Sequence, residues 1–173
     1  MRHARTAWTG RRYCGLTDLP LSVTGRREAA ALADRIRPLA PSAVVLTSPL
    51  RRALQTAQAI ALGRPLHVDR RLREVDFGEA EGLSYAQIAG RWPDLAATLA
   101  SGTVPLAWPA GERWSDVGAR VRAVREDLRD LTSDAIVVTH AFIAVALLEG
   151  SGVAGLSPAG VGIVELDLQA ART

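Results

Sequence analysis

The chain has 173 residues, 48% of them hydrophobic, which is enough for one domain with a sizeable core. The 21 basic residues exceed the 18 acidic ones by only +3, and every basic residue is Arg, which excludes a Schiff-base lysine and the lysine of a phosphate-binding P-loop. Cys14 is the single cysteine, so an intramolecular disulfide and a cysteine-rich metal site are excluded as well.

Arg2-His3 opens the chain behind Met1 alone, and a polar stretch follows from Thr9 to Gly15. Gly25 to Leu39, rich in Ala, Leu and Arg, predicts a helix that ends near Pro38 and Pro41. Ala43 to Thr47 is a short β-branched run that predicts a strand. Ser48-Pro49 then offers an N-cap and a first-turn proline for a helix reaching Leu62. Leu66 to Asp69 is a second candidate strand, and the capping-box spacing of Ser84 and Gln87 predicts a helix from Tyr85 towards Arg91. Trp92 to Trp114, with Pro93, Pro105 and Pro109, reads as short helix and loop covering one end of the domain.

Val117, Val121, Val124, Leu128 and Leu131 make one apolar stripe and predict a further helix. Ala135 to Thr139 is a buried strand by composition, and Phe142 to Leu148 continues as a helix directly after His140. Val164, Leu166 and Leu168 alternate with Glu165 and Asp167, the pattern of a half-buried strand. Strands alternating with helices predict parallel βαβ units in a single three-layer α/β/α domain spanning residues 1–173.

The arginines are scattered and lack interleaved aromatics, so nucleic acid is not an expected partner. No apolar stretch approaches the ~18 residues of a membrane span. No signal-peptide core precedes the first motif, which makes a cytoplasmic location the default expectation. The sequence leaves monomer or homodimer open.

In open parallel sheets ligands bind beyond the carboxyl ends of the strands, and His3, Ser48 with its following arginines, and His140 all fall at such ends. Arg2 and Arg52 would supply planar, permanent positive charge for a phosphate monoester, and the helix after His140 would add free backbone N–H groups. One neutral imidazole can attack phosphorus while the other steadies the transferring oxygens. Glu74 is the best placed carboxylic acid to protonate the leaving alcohol. His67, outside these motifs, reads as structural, and Cys14 reads as a small loop filler without a partnered base.

These residues resemble the histidine phosphatase superfamily, also called the phosphoglycerate mutase-like family. Arg2-His3-Ala4 is similar to its Arg-His-Gly signature, and Ser48 to Ala53 with Gln55-Thr56-Ala57 is similar to its second phosphate-binding block. Leu72-Arg73-Glu74 with Phe77-Gly78 and Glu81-Gly82 resembles the segment carrying the proton donor. Gly111-Glu112 with Asp116 and Arg120-Val121 resembles a further block, and Val138-Thr139-His140-Ala141 resembles the second histidine motif.

The resemblance implies a phosphoglycerate mutase-like fold and a metal-independent, cofactor-free phosphatase acting on a small phosphorylated metabolite. In it His3 becomes phosphorylated, Arg2, Arg52 and His140 hold the phosphoryl group, and Glu74 serves as acid and then base. Thr9 stands where many members place a phosphate-touching asparagine. Tyr13 to Leu21 looks most like the α-ribazole phosphatase branch, which makes α-ribazole 5′-phosphate a candidate substrate. Ala4 and Ala141 replace the usual glycines, where a methyl group narrows the space for phosphate. Arg5 and Arg113 replace a usual acid or amide and a usual serine.

Two other outcomes belong to the same resemblance: mutase-type transfer to a second substrate, and an inactive member that binds a phosphorylated ligand. A zinc hydrolase fits less well, because no His-Glu-x-x-His spacing occurs. Members carry an apolar strand ahead of the first histidine, so the first strand is expected to be truncated. The expectation is that translation of the natural protein begins upstream of Met1.

Overall fold

In a computed structural model of the chain, which describes residues 1–38, 41–149 and 160, three parallel strands form the frame of the site. They are β1 (Val44–Thr47), β2 (Leu66–Val68) and β3 (Ala135–Val138), in the order β2-β1-β3. Val45 is in register with both Leu66 and Ile136, and Thr47 with Val68 and Val138, so all three strands end at one level.

The first residues of the chain extend this sheet beside β3. Thr139 N–H donates to the Met1 carbonyl and His3 N–H donates to the Thr139 carbonyl, each at 2.9 Å, while Arg2 bridges Thr139 in parallel. On its other side Arg2 N–H donates to the Gly160 carbonyl at 3.1 Å. The first residues therefore run parallel to the end of β3 and hold the His3 backbone at the carboxyl end of the sheet.

Helices cover both faces. α1 (Val23–Ile36) is N-capped by Ser22, whose hydroxyl accepts from Gly25 N–H at 3.0 Å. It starts earlier than its Ala-Leu-Arg composition suggests, because Ser22 rather than Gly25 supplies the cap. α2 (Arg51–Ala61) packs beside it. Leu32 and Ile36 of α1 and Ala53, Ala57 and Ile60 of α2 bury Val45, Ile136 and Val138. The alternate residues Leu46 and Val137 point to the other face, against a larger core. That core contains Val117, Val121 and Val124 of α5 (Trp114–Arg129) and Ile143 of α6 (Ala141–Leu147). Each fully buried aliphatic side chain contributes about 1.5–3 kcal/mol.

On the side of the larger core, α3 (Tyr85–Arg91) begins at the predicted capping box, with Ser84 and Gln87 bonded reciprocally, and α4 (Pro93–Ala100) begins with its proline. The result is the expected three-layer α/β/α arrangement. Among the described residues no helix is long and apolar enough to cross a membrane. The predicted strand at Val164, Leu166 and Leu168 lies outside the described residues.

One expectation fails locally. Ser48 does not cap α2: the N-cap is Leu50, without a side-chain cap bond, and Pro49 stands before the helix. The Ser48 hydroxyl accepts from Leu50 N–H at 3.2 Å instead and has a second partner in the site. A close approach fixes another position. A Cβ on Gly25 would lie 2.0 Å from the Arg5 carbonyl oxygen, so only glycine lets α1 pack on the segment after His3.

Candidate active site

His3 is 6% exposed, and its Nδ1 lies 2.7 Å from the Ala4 carbonyl. A carbonyl can only accept, so Nδ1 carries the proton and Nε2 keeps its lone pair. Burial, then the Arg52 and Arg2 charges, push the His3 pKa down to about 3, with the Ala4 bond opposing. At neutral pH this imidazole is uncharged and nucleophilic at Nε2.

His140 follows β3 and is the N-cap of α6. Its ring lies 5.0 Å from that of His3, centroid to centroid, tilted by 57°. Nε2 is 2.7 Å from Ser48 Oγ, whereas the buried Nδ1 has no hydrogen-bond partner among the described residues. Burial foremost, then Arg52, His3 and Arg2, holds its pKa well below 6.5.

Arg52, in the first turn of α2, is fully buried. Its guanidinium donates to the carbonyls of Thr17 (2.9 Å), Cys14 (3.1 Å) and Gly15 (2.7 Å), and its buried Nε has no hydrogen-bond partner among the described residues. The loop supplying those carbonyls is itself fastened. Glu81 accepts from Gly15 N–H at 2.9 and 3.0 Å and from Thr17 N–H at 3.1 Å. Asp18 accepts from Arg51 N–H at 2.6 Å, and Gln55 accepts from Leu21 N–H at 2.8 Å. A Cβ on Gly15 would sit 2.5 Å from the Val75 carbonyl and 2.6 Å from Glu81 Oε2, so this turn requires glycine.

Glu74 is 4% exposed, and its carboxylate accepts from the backbone N–H of Val75 at 3.1 Å. Burial raises the Glu74 pKa, and the Val75 amide, Arg52 and Arg2 oppose it. Glu74 pairs with neither adjacent arginine: Arg71 bonds Asp69 and Asp127, and Arg73 bonds Glu112.

The segment leading to Glu74 is held by Arg120. This side chain makes a fork to Glu112 at 2.8 and 3.0 Å and donates to the carbonyls of Arg71, Arg73 and Glu74. Glu112 also accepts from Asp76 N–H at 3.3 Å. The Glu112–Arg120 block of the sequence is thus a brace for the acid segment.

Arg2, His3 and Glu74 line a cavity of about 380 Å³. Tyr13, Tyr85 and Phe142 contribute aromatic wall, and Thr9, Arg11 and Arg12 lie along it. Arg52 and His140, both fully buried, lie beneath rather than on the wall, and the Arg52 charge acts on His3, His140, Arg2 and Glu74. The predicted set is therefore brought together. Thr9 reaches the cavity with its hydroxyl already accepting from Thr6 N–H at 2.9 Å.

Of the two alanines, Ala141 lines the cavity, whereas Ala4 is buried in a cluster with Leu21 and Ala29. Arg5 turns away to pair with Glu28 at 3.2 Å, and Arg113 is the exposed N-cap of α5. His67 is exposed on β2. The Cys14 thiol borders the cavity but donates to the Thr17 carbonyl at 3.5 Å, and burial raises its pKa, which keeps it protonated. Among the described residues no group of three or more His, Cys, Asp or Glu is arranged to hold a metal ion.

The sequence marks Ser48 as a helix cap and the start of a phosphate-binding block rather than as the partner of His140, and it carries no signal for Glu81 as the fastener of the Arg52 loop or for Arg120 as the brace of Glu74. The sequence signal available for Ser48 was its place directly after β1, at the carboxyl end of a parallel strand.

Fold and site together define a three-layer α/β protein with two buried, neutral histidines set among arginines at the carboxyl end of a parallel sheet. The family model of the histidine phosphatase superfamily (branch 1) matches residues 1–162, and the chain belongs to that superfamily, whose members are phosphatases or mutases. The chain is 36% identical over 163 residues to the bifunctional protein Rv2228c of Mycobacterium tuberculosis, covering 88% of this chain and 44% of that protein. It thus spans less than half the length of that relative. A probable phosphoglycerate mutase, GpmB, of Escherichia coli is 32% identical over 145 residues, 81% of this chain and 67% of that one. The native structure of mycobacterial glucosyl-3-phosphoglycerate phosphatase Rv2419c superposes with a TM-score of 0.77 at 29% identity, covering 91% of this chain and 84% of the other.

Proposed function

We propose that this protein is a metal-independent phosphomonoester hydrolase acting on a small phosphorylated metabolite through a phosphohistidine at His3. One observation carries the reading. The His140 ring, 5.0 Å from that of the neutral His3, has a buried Nδ1 without a hydrogen-bond partner among the described residues, and Arg52, whose charge acts on both rings, has a buried Nε likewise without one. Buried polar groups are nearly always satisfied, and the oxygens of a phosphoryl group would satisfy these.

In this reading His3 Nε2 attacks phosphorus as the P–O ester bond breaks. Glu74, whose protonated form is favoured by burial, gives its proton to the leaving oxygen. The Ala4 carbonyl, accepting from Nδ1–H, favours the positive charge that develops on the phosphorylated ring. Water then attacks phosphorus, the Glu74 carboxylate takes its proton, the P–N bond breaks, and inorganic phosphate leaves with His3 restored. Arg2 and Arg52 offset the phosphoryl charge throughout.

The wall supports a choice among substrates. Exposed Arg11 makes no side-chain hydrogen bond or ion pair among the described residues and favours esters with a second anionic group, as in phosphoglycerate derivatives. α-Ribazole 5′-phosphate stays a candidate on the resemblance of Tyr13 to Leu21 alone. Much of that segment is occupied as scaffold, since Gly15, Thr17, Asp18 and Leu21 fasten the Arg52 loop. The likeness to GpmB favours acceptor transfer as the second reading, with a sugar or glycerate hydroxyl replacing water. The test is hydrolysis of a generic aryl phosphate with and without chelator, followed by a panel of phosphoglycerates, glucosyl-3-phosphoglycerate, sugar phosphates and α-ribazole 5′-phosphate. Chelator-resistant release of inorganic phosphate supports hydrolysis. Chelator-sensitive release contradicts it, and transfer without phosphate release favours the mutase.

A further inference from the structure

We propose that Ser48 is a positioning residue that fixes His140 in the tautomer with its proton on Nδ1, so that the second histidine donates to a phosphoryl oxygen. The proposal rests on the phosphoryl-transfer reading of the site but is argued from hydrogen-bond accounting. The Ser48 hydroxyl, fully buried, touches two polar groups: Leu50 N–H at 3.2 Å and His140 Nε2 at 2.7 Å. A backbone N–H can only donate, so Oγ accepts there, and the hydroxyl still has one proton to place.

If His140 held its proton on Nε2, Oγ would accept twice, and its own proton would be buried without an acceptor among the described residues. His140 Nδ1 would then present a lone pair in the site and repel an anionic oxygen. In the other tautomer the Ser48 hydroxyl donates to a bare Nε2, and every polar atom of the pair is satisfied except Nδ1–H. That donor lies buried beside His3 with no acceptor among the described residues. The orphan cost of about 1–3 kcal/mol attached to one unsatisfied buried donor would be recovered when a phosphoryl oxygen arrives. His140 stays uncharged in this setting, so the position of its single proton decides what it can do.

The same geometry explains why Ser48 is absent from the α2 cap. Ser48 N–H donates to the Val138 carbonyl at 3.1 Å, which sets Ser48 against the residues leading to His140. β1 and β3 are neighbours in the sheet, so the hydroxyl meets the imidazole across one strand spacing.

The test uses ¹⁵N-histidine-labelled protein and long-range ¹H–¹⁵N correlation at neutral pH, which identifies the protonated nitrogen of each ring. The expected spectrum shows His140 protonated at Nδ1 in the wild type and in Ser48→Thr, and a shift towards Nε2 in Ser48→Ala, with the His3 pattern unchanged. Vanadate is expected to bind about tenfold more weakly to Ser48→Ala and normally to Ser48→Thr, as for loss of one charge-assisted hydrogen bond. A wild-type His140 protonated at Nε2, or a Ser48→Ala protein with unchanged tautomer or unchanged vanadate affinity, overturns the proposal. The wild-type spectrum decides even without a folded variant. Absence of phosphate hydrolysis alongside an Nδ1-protonated His140 would count against the function and leave the Ser48 tautomer assignment standing.

Discussion

His3 and His140 lie with ring centroids 5.0 Å apart, and each is tied through one nitrogen to an oxygen, His3 to the Ala4 carbonyl and His140 to the Ser48 hydroxyl. The remaining nitrogens have opposite characters. His3 Nε2 is a lone pair, fit to attack, and His140 Nδ1, with the Ser48 hydroxyl donating to Nε2, is a donor, fit to hold. Two imidazoles thus divide nucleophile and stabiliser between them without a carboxylate bonded to either ring among the described residues.

The histidines make stability pH-dependent. The His3 pKa falls from 6.5 to about 3 on folding, and that of His140 falls in the same direction. Unfolded chains therefore take up protons first, so this contribution is complete above 6.5 and is lost as pH falls towards 3. Glu74, raised by burial, acts in the opposite sense, so the His3 share is read from the difference between wild type and a His3 variant. Thermal melts should show Tm falling more steeply with acid over that range in the wild type than in His3→Gln. An equal slope in the variant contradicts the assignment.

Glu74 sets the basic limb of activity. It must hold a proton to assist the leaving group, so the first step falls as pH rises through its elevated pKa. Glu74→Gln should slow alkyl phosphates by roughly 10²–10⁴-fold, the usual worth of a general acid. Aryl phosphates with weakly basic leaving groups should lose much less, and the basic limb should disappear. Parallel pH–rate profiles on the two substrate types read this directly.

The brace behind Glu74 should be visible in turnover rather than binding. Arg120→Lys keeps a charge but loses the fork that holds Glu112 and the carbonyls of residues 71, 73 and 74. A misplacement of the acid by about 1 Å costs on the order of 10²-fold. We expect kcat for alkyl phosphates to fall by about 10–100-fold, with vanadate affinity nearly unchanged. Equal losses in both would place the brace elsewhere.

Glu81 should behave in the reverse way. Its carboxylate holds Gly15 and Thr17, whose carbonyls hold Arg52. In Glu81→Ala the Arg52 guanidinium loses its fixed seat, and vanadate affinity measured by calorimetry should fall at least about tenfold, the scale of a hydrogen bond to a charged group. Unchanged affinity would show that Arg52 is held without the loop.

Much of this was legible in local patterns. The α5 stripe of Val117, Val121 and Val124 is buried as its spacing predicts, and the Ser84–Gln87 box caps α3. Arg2, His3, Glu74, Arg52 and His140 converge because parallel strands end at one level. Non-local partners were not legible. Arg120 reaches carbonyls 46 to 49 residues away, and Glu81 reaches the Gly15 turn across 66, separations on which periodicity carries no information. The Ser48-Pro49 pattern predicts a cap because a helix start and a histidine partner look alike until the neighbouring strand is known.

The central claim is that phosphorus passes through His3, and rapid quench tests it most directly. The enzyme would be mixed with a phosphate monoester, stopped in alkaline denaturant, and mapped by peptide mass spectrometry. The account predicts a phosphoryl group on the peptide containing His3 during turnover, insensitive to chelator and absent in His3→Ala. Turnover by His3→Ala, or turnover with label on a different residue, would contradict it.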